Sequence, residues 1–158
     1  MDYYKVYLQS ETDGVMVETV SAYGMYCMDI PFKMAAKAKE PASRNWNDED
    51  GIDEYIPSTG LRLASYEMDI KFGCKGKKGT VNKNLSDFIA FLKKGYMKMY
   101  CDYTQIGRQH VRFVELSDDA ELVRDINGDI LVIKVKFVVS DPVTKITLKT
   151  ENNSQTLG

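Results

Sequence analysis

Three aspartates, Asp48, Asp50 and Asp53, lie close together in the run N-W-N-D-E-D-G-I-D-E-Y. Carboxylates at that density are the ligand type that calcium takes. An EF-hand loop wants Asp or Asn at positions 1, 3 and 5, Gly at 6 and Glu at 12. Setting Gly51 at the glycine position puts Trp46 first and Pro57 last, so the register fails. A solvated acidic loop is the simpler reading. The single histidine, His110, stands between Arg108 and Arg112 with no cysteine, serine or carboxylate patterned around it. Its alternation with Val111 and Phe113 places it on the solvent or interface face of a strand. Gly73 to Thr80 reads G-C-K-G-K-K-G-T, with the glycines and lysines of a phosphate loop. Gly79 is followed by Thr80 and not by lysine, so the G-x-x-x-x-G-K-[ST] spacing is absent. A basic hairpin tip remains, whose Lys77 and Lys78 can face an acidic partner.

Cys27, Cys74 and Cys101 are odd in number and widely spaced, which argues for free, buried thiols. A zinc site would want closer pairs and more histidines. The sequence therefore offers no catalytic, cofactor-binding or metal residue, and the expectation is a protein that is not an enzyme and carries no cofactor. Trp46, the lone tryptophan, sits inside the acidic loop, either as an interface anchor or as a cover folded back on the core. Tyrosines crowd two places, Tyr3, Tyr4 and Tyr7, then Tyr96, Tyr100 and Tyr103. Stacking on nucleic acid would interleave them with basic residues, whereas tyrosine also suits a half-buried sheet. The formal charge of -2 creates no field to gather nucleic acid or a membrane surface. The candidate interface is Trp46, Asp48, Asp50, Asp53, Tyr55, Lys77 and Lys78.

These residues need elements to position them. A chain of 158 residues fits one domain, expected over residues 1–150, with 151–158 as a polar tail. No apolar run approaches the ~18 residues of a membrane-spanning helix. The opening M-D-Y-Y-K lacks the basic-then-apolar layout of a signal peptide, which points to synthesis and folding in a cytoplasm.

One helix is expected, over residues 84–94. Leu85, Phe88, Ile89 and Leu92 repeat at i, i+3, i+4 and i+7. Asn84 is placed to cap it, Asp87 to meet its positive end, and Gly95 to follow its last turn. Residues 32–39 allow a further helical turn or two.

Most of the remainder reads as strand. Residues 3–8 and 15–20 flank a turn. Residues 22–30 form an irregular strand whose parity slips after Cys27, with Gly24 as a bulge or close approach. Residues 61–75 carry Tyr66, Met68, Ile70, Phe72 and Cys74 on one face. Residues 97–103 and 109–116 follow the helix. Asn127-Gly128 marks a hairpin, and the run after it puts Ile133, Val135, Phe137 and Val139 on one face. Residues 143–148 suggest a last short strand, and 37–60 a long exposed acidic loop. The fold class is mainly β, an antiparallel sandwich or barrel with one flanking helix.

The hairpin start, the acidic excursion, the long strand, the helix N-L-S-D-F-I-A-F-L-K-K-G feeding M-K-M-Y-C-D-Y, and the closing I-L-V-I-K-V-K-F-V-V-S-D-P share a layout. It resembles bacteriophage tail-tube and distal-tail proteins, prophage components included, over roughly residues 55–142. The resemblance implies a homo-oligomer, commonly a hexameric ring, joined through edge strands and the long loop. It also implies contacts with other tail proteins, a place in the virion tail, no catalysis, no membrane and no specific nucleic-acid binding. The alternative is a small-ligand or partner-binding β-barrel module, supported by Trp46 and the tyrosines.

Overall fold

The structure is a computed structural model that describes residues 3–33, 35–117, 121–125, 128–151 and 154–158. It is mainly β. Among the described residues twelve strands and two helices occur, and the largest sheet is antiparallel and curls into a half-barrel.

The half-barrel is built on two long strands, β6 (Tyr66–Gly76) and β10 (Gly128–Val139). They pair without interruption from Asp129 opposite Gly76 to Val139 opposite Tyr66. The period-two pattern explains why. Tyr66, Met68, Ile70, Phe72 and Cys74 all point inward and are buried, as do Leu131, Ile133, Val135, Phe137 and Val139. Around this pair the order is β2 (Met16–Glu18), β1 (Val6–Ser10), β7 (Met97–Cys101), β8 (Ile106–Leu116), β10, β6 and β3 (Met25–Asp29). A further strand, β9 (Glu121–Asp125), pairs with the first half of β10. Gly128 there stands opposite Asp125, so the hairpin expected at Asn127-Gly128 is present, although Asn127 itself lies outside the described residues. The parity slip expected after Cys27 is a register shift between Cys27 and Asp29 against β6.

Helix α2 spans Thr80–Leu92 and fills the mouth of the curl. Phe88 meets Phe72 edge to face, with centroids 5.1 Å apart. The expected stripe faces the core, with Phe88 and Leu92 buried and Leu85 and Ile89 half-buried against it. The start differs by a turn. Val81, four residues before Leu85, is 1% exposed and extends the stripe backward. Asn84 is therefore inside the helix and not its cap; its amide lies 3.9 Å from the Cys74 sulfur. Gly79, at φ 84°, occupies the cap position without a side chain.

A second, short helix, α1 (Thr19–Tyr23), was not expected. Its β-branched start reads as more strand. The Glu18 carboxylate caps it by accepting from Val20 N and Ser21 N. Gly24 closes it in the left-handed conformation, so it is a helix cap and not a strand bulge. No helix forms among the described residues of 32–39. Lys39 N donates to Arg62 O and Ala64 N to Lys37 O, and these cross-chain bonds outweigh helix propensity.

The end of the chain also departs from expectation. Residues 143–147 form no strand and cross β8 at Gly107, whose carbonyl accepts from Ile146 N, and the strand β11 begins later, at Leu148–Glu151. It pairs with β12 (Ser154–Leu157), so the expected polar tail contains a strand. Leu157 is 3% exposed in a second apolar cluster with Tyr7, Tyr100 and Ile146. Its N–H donates to the Gln9 side chain at 3.0 Å. Its carbonyl accepts from Lys98 Nζ at 3.2 Å, so one apolar residue and a hydrogen bond on either side of its backbone anchor to the main sheet what composition presents as polar.

Candidate interaction surface

The acidic loop is not formless. Within residues 37–60 two strands, β4 (Ala42–Arg44) and β5 (Asp53–Tyr55), pair antiparallel as their own two-stranded sheet. At the root Ala38 bridges Leu63, and the two bonds between 37–39 and 62–64 hold the entering and leaving chain side by side. The result is an arm on a defined stem. Every residue from 42 to 56 is exposed.

That exposure decides the role of Trp46. At 47% exposed it does not cover the main core. The Arg44 guanidinium lies 5.5 Å from its ring centroid, which holds it on the arm. Ile52, Tyr55 and Ile56, on the same arm, are each more than half exposed. Asp48, Glu49, Asp50, Asp53 and Glu54 are interspersed with these apolar groups along residues 42–56, against the one cation Arg44. Among the described residues none of these five carboxylates takes part in an ion pair or side-chain hydrogen bond, and no group of three or more metal-ligating side chains is gathered anywhere.

Lys77 and Lys78 are exposed too, in the turn between β6 and α2. That turn follows Lys75, which lines a feature that the sequence did not announce. On the side of β6 and β10 away from the core, Tyr26 pairs across to Gly73, Gly73 to Val132, and Lys75 to Ile130. Together with Tyr3 and Met28 these residues line an open groove of about 520 Å³ with a mostly apolar surface. Gly73 contributes no side chain, so Met28 lies over it; a Cβ there would stand 3.2 Å from the Met28 sulfur. Tyr3 meets Tyr26 edge to face at 4.9 Å. Val123, opposite Ile130, continues the apolar strip and is 52% exposed. A signal for this groove exists in the run I-L-V-I, which is apolar on both parities. A strand with one wet face needs apolar residues only on alternate positions.

His110 does have a carboxylate partner, 99 residues away in sequence. Its Nδ1 is 2.9 Å from Glu11 Oε2, and its ring meets Tyr96 edge to face at 5.2 Å. His110 occupies the left-handed region at φ 53°, where β8 carries one residue more than β7 between Met97–Val111 and Met99–Arg108. The Glu11 contact, the Lys94–Asp13 pair at 3.0 Å and the Glu11 N–H to Tyr96 carbonyl bond dock the β1–β2 turn onto the loop before β7. The arrangement ties two loops together at an exposed site, as the expected solvent face requires.

The three cysteines are buried and unpaired. Burial, with Cys101 nearby, pushes the Cys27 thiol up to about 12, and burial also raises Cys74. Neither is a poised thiolate.

No known protein family and no curated protein matches this chain.

Proposed function

We propose that this protein is a non-enzymatic structural subunit of a bacteriophage or prophage tail, assembling with copies of itself into a ring or tube. The observation that carries the reading is the arm. A stemmed hairpin that exposes Trp46, Ile52, Tyr55 and Ile56 gains nothing from them as a monomer, and such groups anchor interfaces. The layout resemblance supplies the assembly type, a ring that is commonly sixfold, and its place in the virion tail. Light scattering over a wide concentration range tests it. Rings or concentration-dependent oligomers, visible as annuli or tubes by electron microscopy, are expected; a strict monomer at every concentration would sink it.

The second reading is a small-ligand or partner-binding β-barrel module. The groove favours it, since about 520 Å³ falls within the size of small-molecule sites. A thermal-shift screen that finds a stabilising small ligand in a monomeric protein would put this reading first.

A further inference from the structure

We propose that the arm of one copy seats in the outer-face groove of a second copy, with Trp46 and Tyr55 against its apolar wall and the arm's carboxylates against Lys75, Lys77 and Lys78. The proposal rests on the self-assembly reading and names the surface that receives the arm.

The two features match in chemistry. The arm is a set of apolar side chains interspersed with five carboxylates and a single arginine. The groove is an apolar trough with Lys75 in its lining and two exposed lysines on the adjoining turn. Apolar burial would drive the contact, and opposite charge would select its register and its partner. Trp and Tyr are the residue types that fill such troughs as anchors. The low floor at Gly73 matters here, because a side chain at that position would push Met28 into the space.

The occupant is a second copy because the arm's own groups are exposed in the single chain, so its own groove is not their resting place. The contact joins two different patches. A single docking leaves one arm and one groove free, so unless two copies dock reciprocally the interaction propagates, closing as a ring or continuing as a helical filament or tube. A second candidate, the cleft of about 550 Å³ between β2 and the final hairpin, is lined by Tyr7, Met16 and Val17 together with Glu18, Thr150 and Gln155. It offers no lysine to meet the arm's carboxylates, and its one charged lining residue, Glu18, has the arm's own sign.

The test uses two full-length variants. One reverses the arm, Asp48→Lys with Asp50→Lys and Asp53→Lys. The other reverses the receiving rim, Lys75→Glu with Lys77→Glu and Lys78→Glu. All six sites are surface positions, and circular dichroism checks that each variant folds. Each variant alone carries like charges on arm and groove and is expected to need at least tenfold more protein to assemble. Mixed one to one, the two should assemble again, because each arm then faces a groove of opposite charge. Damage to folding cannot be repaired by mixing. Parent-like assembly of either variant alone, or a mixture that stays dissociated, overturns the docking and leaves self-assembly standing. A parent protein that is monomeric throughout overturns both.

Discussion

The backbone N–H of Tyr4 donates to the carbonyl of Cys27 at 2.8 Å, and this bond joins the chain just before the first strand to the far edge of the sheet. The strand order places β1 and β3 near opposite ends. Curling brings them together, so the half-barrel nearly closes on itself. Unpaired strand edges invite association with other chains. With this edge occupied, β2, β9, the two strands of the arm and the final hairpin are, among the described residues, strands at which another chain can pair.

Phe88 is fully buried between Phe72 and Tyr23. Phe88→Ala is expected to lower unfolding free energy by about 3–5 kcal/mol, measured by urea denaturation, and Leu92→Ala by about 2–5 kcal/mol. An unchanged denaturation midpoint for either would remove that residue from the core.

The core-facing pattern was legible because its periods are clean. β6 alternates from Tyr66 to Cys74, Ile133, Val135 and Phe137 alternate with Lys134 and Lys136 in β10, and the α2 stripe repeats at helical spacing. α1 was hidden by its own composition: T-V-S-A-Y carries two β-branched residues, and its cap is a glutamate, outside the usual Ser, Thr, Asp and Asn. Of the surface, the arm residues could be singled out by composition. The groove left only the run I-L-V-I as its trace, because it forms only when β3, β6 and β10 lie side by side. The Glu11–His110 contact is likewise invisible in a linear reading.

Gly107 packs directly beneath the crossing segment at Ile146. A Cβ at Gly107 would collide with the Ile146 carbonyl oxygen, and that contact is to backbone, which cannot rotate aside. Gly107→Ala is expected to cost about 1–3 kcal/mol through overpacking and to lower the melting temperature. A melt identical to the parent's would mean that residues 143–147 shift freely.

The stem makes the arm separable. Replacing residues 40–61 by a short glycine-containing turn should retain the melting temperature within a few degrees, since residues 42–56 add nothing to the core. It should abolish concentration-dependent assembly. Unfolding on replacement would show that the body depends on the arm.

The buried thiols should be inert. At neutral pH a maleimide is expected to leave Cys27, Cys74 and Cys101 unmodified in the folded protein and to modify all three in denaturant, read by intact mass. Rapid modification of Cys27 in the native state would contradict its position in the core.

Asp141 carries a pH dependence. Burial works against its charge, but the Gln109 amide at 2.8 Å, the Val143 and Thr144 N–H groups at 3.1 Å each and the Thr144 hydroxyl outweigh that, holding the carboxyl well below the usual range. A depressed folded value means that the contribution is complete above the unfolded value of about 3.9 and is lost as pH falls below it. Asp141→Asn should therefore reduce stability at neutral pH and flatten the acid limb of the stability profile. A profile parallel to the parent's between pH 5 and 2 would show that these hydrogen bonds do not depend on its charge.

The extra residue at His110 acts as a phase setter for β8. Val111 lies opposite Val139 and is buried with it, and Arg108 lies opposite buried Met99. Residues three apart on a regular strand face opposite sides, yet here both face inward. The insertion is what lets the first part of the strand stay in step with β7 while the rest stays in step with β10. Side-chain identity at 110 is therefore a minor matter beside residue count. Loss of a single residue there would rotate Gly107 and Arg108 to the wrong side and leave the strand out of frame with one of its two neighbours.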